Sequence, residues 1–152
     1  MITLQNFEIW HFDHLQPRLR SLDAMSLVGL DMKEYRARIE AIMVDNPVAT
    51  FMVDEQPAAI AGAIKMWEGV ATYWMLTTPL VERYKLSFHR SCKHGIVYLR
   101  EAFDLHRLEA SIAQSHVRSQ KWAESFGFKN EGIMRGYGPD GADHYRYARV
   151  WL

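Results

Sequence analysis

Three consecutive strand-like runs joined by tight-turn signals, then one long helical stripe, occupy the middle of this chain and leave few folds open to it. Val48 to Val53 alternates with period two, and Asp54-Glu55-Gln56-Pro57 supplies a turn. Ala58 to Met66 continues as a second strand rich in small residues. Glu68-Gly69 makes the next turn. Val70 to Thr78 then forms a third strand, with Thr72, Trp74 and Leu76 on one face and Tyr73, Met75 and Thr77 on the other, and Pro79 ends it. From Leu80 to Phe103 the period changes. Val81, Tyr84, Phe88, Cys92, Ile96, Leu99 and Phe103 advance by threes and fours, drawing a single apolar stripe along a helix.

The flanking segments extend this alternation of element types. Ile2 to Phe12 is apolar and aromatic enough for an opening strand. Asp31 followed by Glu34 is an acidic capping box, with Met32, Tyr35, Ile39, Ile42 and Met43 at helical spacing, so a helix is predicted from Asp31 to Val44. It stops before Asn46-Pro47, because a residue preceding proline resists the α conformation. Arg107 to Ala113 alternates again, and Ser115 to Phe126 reads as a helix closed by Gly127. Asn130 to Tyr137 and His144 to Trp151 form a last hairpin. The order predicts one α+β domain over residues 1–152, with a central, mixed but mostly antiparallel sheet flanked by helices.

Composition narrows the function. The chain has 152 residues, with 18 Lys and Arg against 18 Asp and Glu, so no overall field draws it to nucleic acid or to a membrane surface. No apolar run approaches the roughly 18 residues that cross a bilayer. The N-terminus carries Glu8 and Asp13 and no basic start, so no signal peptide is expected, and a cytoplasmic location follows. Cys92 is the only cysteine, which excludes an intrachain disulfide. His11-x-x-His14 and His89 with Cys92 have ligand-like spacing, but without CxxC, HExxH or a carboxylate cluster no metal is expected. Serine-hydrolase, P-loop and dinucleotide motifs are also missing. Arg83, Lys85, Arg90, Lys93 and Arg100 form a basic run with no acid among them, either a local anion site or a solvated helix face.

Arg107-Leu108-Glu109-Ala110, His116 to Ser119, Gly127-Phe128 and Glu131-Gly132 together resemble the C-terminal half of the GNAT acyltransferase superfamily. The likeness is to the branch that acetylates protein N-termini and amino-sugar-like amines, whose members carry R-x-E-A, N-x-x-S, G-F and E-G in this order. Arg135, Tyr137, Gly141 and Asp143-His144 resemble the same branch's ending. The resemblance implies a GNAT fold and an acetyl-CoA-dependent N-acetyltransferase acting on a small-molecule or protein amine. Two departures stand out. The coenzyme loop Q/R-x-x-G-x-G/A becomes Arg83-Tyr84-Lys85-Leu86-Ser87-Phe88, with bulk at Leu86 and Phe88 where backbone must approach a pyrophosphate. The usual pantetheine-contacting asparagine becomes His116. Thr78-Pro79-Leu80-Val81-Glu82-Arg83 also resembles short GNAT-like proteins of tailed bacteriophages, some associated with the virion interior. The alternative function is therefore a catalytically inactive structural module whose partners are virion proteins.

The resemblance also assigns roles. It places Trp74, Met75, Leu76 and Thr77, with Glu109 to Ala113, along a thioester channel between the fourth and fifth strands, and a backbone N–H near Leu76 as oxyanion donor. Glu109 is the candidate general base; its alternative is an ion pair with Arg107 or Arg135. Ser119 is the hydroxyl for the leaving thiolate, or else satisfies a helix-end backbone group. Arg83, Lys85 and Ser87 fall in the coenzyme-phosphate loop, with Arg90 a further cation; His116 either hydrogen-bonds the pantetheine amides or is an exposed helix-start residue without a function. Tyr137, Tyr145 and Tyr147 line a substrate mouth or pair across strands. An open sheet edge at the C-terminal hairpin makes a homodimer the expected assembly.

Overall fold

A computed structural model describes residues 1–25 and 27–152. The elements run β1 (Ile2–Asn6), α1 (Ile9–Leu15), α2 (Ser21–Met25), α3 (Met32–Asp45), β2 (Val48–Val53), β3 (Gln56–Trp67) and β4 (Val70–Thr77). A 3-10 turn (Pro79–Tyr84) leads into α4 (Lys85–Ala102), followed by β5 (Arg107–Ala113), α5 (Val117–Ser125), β6 (Lys129–Met134) and β7 (His144–Val150). The strands form a seven-stranded sheet in the order β1-β2-β3-β4-β5-β7-β6. Every neighbouring pair is antiparallel except β4 and β5.

The two hairpins read from turn chemistry are present. Asp54 and Glu55 turn between β2 and β3 with φ of 49° and 63°, the left-handed pair that a two-residue hairpin loop requires. Gly69 (φ +78°) turns between β3 and β4. A Cβ there would lie 2.2 Å from His106 Nδ1, so both the conformation and the space demand glycine. Asp31 caps α3, its carboxylate accepting from the N–H of Lys33 and Glu34.

The sheet is buried on both faces, which explains the small residues of β3. On one face α4 and α5 pack Phe88, Cys92, Ile96, Leu99 and Phe126 against Phe51, Ala59, Ala61, Ala63 and Leu108. On the other, α1 and α3 bring Phe12, Leu15 and Ile39 onto Ile60 and Leu76. Alanines at 59, 61 and 63 let α4 lie close to the strand.

One expectation is corrected. The opening strand stops at Asn6, and Ile9–Leu15 is a helix that buries His11, Phe12 and Leu15. A capping box sets its start: the Glu8 N–H donates to His11 Nδ1 (3.0 Å) while the Glu8 side chain accepts from the N–H at His11. His11 is wholly enclosed, its Nδ1 also 2.8 Å from Thr50 Oγ1, and burial lowers its pKa. Among the described residues no three His, Cys, Asp or Glu side chains gather as metal ligands, and no helix is long and apolar enough to cross a membrane. Strand β6 is a sheet edge, interrupted by a register shift between Asn130 and Ile133.

Candidate functional site

The site is a fork between β4 and β5. These strands pair only at Val70↔Arg107, Ala71↔Leu108 and Thr72↔Glu109. Beyond that point each keeps its outer neighbour: β4 stays with β3 as far as Ala59↔Thr77, and β5 stays with β7 as far as Ala113↔His144. The inner edges part around a cavity of about 210 Å³, floored by Ile96 and walled by Tyr73, Trp74 and Met75 on one strand and Ala110 to Ala113 on the other. Parted edges expose main-chain groups that a continuous ladder would have satisfied.

At the end of β4 those groups are taken by the segment around α2. The Thr77 N–H and hydroxyl donate to Asp23 Oδ2 (3.2 and 2.5 Å), and the Arg20 N–H donates to the Thr77 carbonyl (2.9 Å). Main-chain groups alternate sides along a strand, so two residues earlier the N–H of Met75 also turns to the fork. Sequence reading placed this donor near Leu76; the alternation directs Leu76 to β3 instead, where it pairs with Ile60. Asp23, which also lines the cavity, was not anticipated. It lies in a stretch with no clear period, and no local signal marks it.

Helix α5 supplies a polar pair. Ser119 Oγ lies 2.9 Å from His116 Nε2, and both side chains line the cavity. Burial holds His116 below its ordinary pKa; Asp23 pulls the other way and is outweighed. Gln120 Nε2 donates to the carbonyls of Ala113 and Gln114 (3.0 and 2.9 Å), tying the end of β5 to the helix that carries this pair. Trp122 closes the wall, stacked on Phe88 (5.5 Å between ring centroids) and donating to His89 Nδ1 (3.1 Å).

A second groove shares Ser119 and Trp122 with the cavity and opens between the start of α4 and α5. Three cations meet there on one carboxylate: Glu82 lies 3.0 Å from Arg20, 3.2 Å from Lys85 and 2.7 Å from Arg118. Burial pushes the Glu82 carboxyl up, and the bonds from Arg118 and Lys85 outweigh it and hold its pKa below the ordinary value. Lys121 adds a further positive charge to the rim. Sequence reading did not single out Arg20 or Arg118, since neither lies in the basic run.

The remaining candidates lie elsewhere. Arg83 points across to Asp54 (3.2 Å) on the β2–β3 turn, and Ser87 is exposed on α4; neither lines the cavity or the groove. Leu86 is 82% exposed at the groove rim, whereas Phe88 is buried beneath it. The expected crowding is thus divided: one side chain faces solvent and the other belongs to the core. Glu109 sits at the vertex of the fork with both oxygens engaged, Oε2 by Arg107 Nε (2.9 Å) and Oε1 by Arg146 Nη1 (2.8 Å). Its second partner is Arg146 and not Arg135, and Arg107 continues the bracket to Glu131 on β6. Cys92 is buried, and burial pushes its thiol pKa up, away from reactivity.

Comparison with solved structures identifies the architecture. Ard1 from Thermoplasma volcanium superposes with a TM-score of 0.80 at 10% identity, covering 99% of this chain and 98% of that one. A GNAT-family acetyltransferase from Bacillus anthracis gives 0.75 at 16% identity, covering 98% and 94%. A spermidine N-acetyltransferase chimera from Vibrio cholerae and hSSAT gives 0.77 at 14%, covering 98% and 95%. The chain has the GNAT acetyltransferase fold. No protein-family model matches it, and no curated protein matches it.

Proposed function

We propose that this chain is an acetyl-CoA-dependent N-acetyltransferase in which an amine attacks the thioester directly. The observation that carries the reading is the parting of β4 and β5 beyond Thr72 and Glu109, around a cavity that adjoins a basic groove through Ser119 and Trp122. A slender thioester-bearing chain fits such a cavity. Its phosphates suit Arg20, Lys85, Arg118 and Lys121, together with the first N–H groups of α4, which have no side-chain cap. The solved neighbours named as acetyltransferases, among them the spermidine N-acetyltransferase chimera, support the same reading.

In the chemistry proposed, the amine nitrogen bonds to the thioester carbon, the C–S bond breaks, and the proton shed by nitrogen ends on the thiolate sulfur. The Met75 N–H faces the oxygen that gains charge. His116, half-buried and so favoured in its neutral form, accepts the nitrogen's proton, and Ser119 passes a proton to sulfur and regains one from His116 Nε2. Glu109, held by two arginines, keeps β5 and β7 in register at the vertex of the fork and thereby positions Ala110 to Ala113.

Calorimetric titration with acetyl-CoA tests the reading. Saturable binding is expected, with about 2.7 kcal/mol of added stability at a hundredfold excess over Kd. No heat and no thermal shift at millimolar acetyl-CoA would overturn it and leave a scaffold protein that shares only the fold. The His116 assignment makes a second prediction, about pH. Its neutral form is the active one and desolvation holds its pKa below the ordinary imidazole value, so turnover is expected to hold through the usual imidazole range and to fall only in more acid solution, where the ring takes up its proton. An arylamine acceptor, itself neutral through this range, isolates the limb. His116→Asn is expected to lower turnover and abolish the limb; an unchanged profile removes His116 from the relay.

A further inference from the structure

The fork cavity has a neighbour. A second cavity, of about 410 Å³, opens between α4 and the first strands, walled by Ala49 and Phe51 of β2, Ala61 of β3 and Cys92, Gly95 and Leu99 of α4. Small residues create the space: a Cβ at Gly95 would meet nothing within 4 Å. Among the described residues no charged side chain lines it. Cys92 is 1% exposed there, and burial pushes its thiol pKa up, so the lining stays neutral.

One residue belongs to both cavities. Tyr73 lines the fork cavity and the second one, and among the described residues no other side chain does. Its place is set by the parting of the strands. Thr72 is the last residue of β4 paired with β5, so Tyr73 and Ala110 are the first to separate, and both pack toward α4. On that helix Ile96 belongs to the fork cavity, while Cys92 and Leu99, about a turn to either side, belong to the second. The Tyr73 ring therefore stands as a partition. Burial holds its phenol well above the ordinary pKa, so the partition is uncharged.

The direction of the bound chain decides what meets this ring. The phosphate groove lies at the start of α4, past the open end of β4, so a coenzyme chain runs from there into the fork with its acyl end toward the vertex. Tyr73 is what the acyl end faces. We infer that Tyr73 sets the length of the acyl group: its ring closes the fork behind an acetyl group, and the cavity beyond it takes the tail of a longer alkyl chain when the ring is removed. A neutral lining with small side chains suits methylenes and rejects a charged tail. This inference rests on the acetyltransferase reading, and the bonds made and broken are those given above.

Acetyl-CoA and hexanoyl-CoA, compared on the same protein, test it; calorimetry gives affinities without an acceptor amine, and an arylamine acceptor gives kcat/KM. In the wild type, kcat/KM for hexanoyl-CoA is expected to lie at least about 100-fold below that for acetyl-CoA, as for a chain too long for a closed pocket. Tyr73→Leu removes the partition. Each methylene that leaves water is worth about fourfold, so this variant is expected to bind hexanoyl-CoA at least about 30-fold more tightly than the wild type and to reverse the kcat/KM preference. Tyr73→Phe keeps the ring and is expected to keep the preference for acetyl-CoA. Gly95→Leu fills the second cavity; alone it is expected to leave acetyl-CoA binding unchanged, and combined with Tyr73→Leu to cancel the hexanoyl gain. An unchanged preference in folded Tyr73→Leu, or a gain that survives Gly95→Leu, overturns the inference. So does a wild type that turns over hexanoyl-CoA as readily as acetyl-CoA, a result that needs no variant to fold. Failure of the wild type to bind acetyl-CoA at all would instead overturn the acetyltransferase reading.

Discussion

Phe88→Ala is expected to destabilise the protein by about 3–5 kcal/mol, the range for removing a fully packed phenylalanine from a core. For a domain of this size that is a fall in melting temperature of roughly 10 °C or more. Phe88 is 7% exposed, stands edge-on to Phe51 (5.0 Å) and stacks on Trp122 (5.5 Å, 15° between planes). Its loss therefore reaches the fork cavity through Trp122, whose ring is left with Phe126 and His89 to hold it. Leu86→Ala, two positions earlier and 82% exposed, is expected to change stability by less than about 0.5 kcal/mol. The sequence presents both as bulky replacements in one phosphate-binding loop. Thermal denaturation of the two variants separates them, and comparable losses would contradict the buried stack.

Local chemistry is what sequence reading captured. The hairpins around Asp54-Glu55 and Gly69, the Asp31 cap and the part of the stripe from Phe88 to Leu99 are each specified within a few residues and lie where period and turn type place them. Val81 and Tyr84, read onto the same helix, fall instead on the 3-10 turn before it. The opening helix escaped because Ile9, Trp10 and Phe12 are residues that favour strands, and because the residue closing its capping box is His11 where glutamate or glutamine is usual. Burial of Phe12 and Leu15 against the sheet overrides the local preference.

The fork was legible only through resemblance. Nothing within Val70–Thr77 or Arg107–Ala113 alone says that the two strands pair for three residues and then part. Partners at a distance were hidden for the same reason. Glu109 meets Arg146 because β5 and β7 lie side by side, and Arg20 and Arg118 meet on Glu82 because α2 and α5 both approach the turn before α4. A carboxylate with two such partners is read correctly only when the register is known.

Ala110→Phe is expected to weaken acetyl-CoA binding at least 100-fold, about 2.8 kcal/mol, while the fold survives. Ala110 is the first residue of β5 beyond the last pair with β4, and its side chain faces the α4–α5 side between the parted strands. A phenyl ring there enters a cavity of about 210 Å³ that the acyl group would otherwise occupy. Overpacking a filled core costs about 1–3 kcal/mol, and entry into open space costs less, so the melting temperature is expected to move by only a few degrees. Ala110→Gly leaves the cavity open and is expected to bind acetyl-CoA nearly as the wild type does. The two variants thus separate loss of space from loss of stability. Undiminished acetyl-CoA binding by Ala110→Phe would mean that the thioester lies outside the fork, and the roles given to Met75, His116 and Ser119 would fall with it. Affinity lost while the protein still melts as one cooperative unit would tie binding to the gap between the two strands.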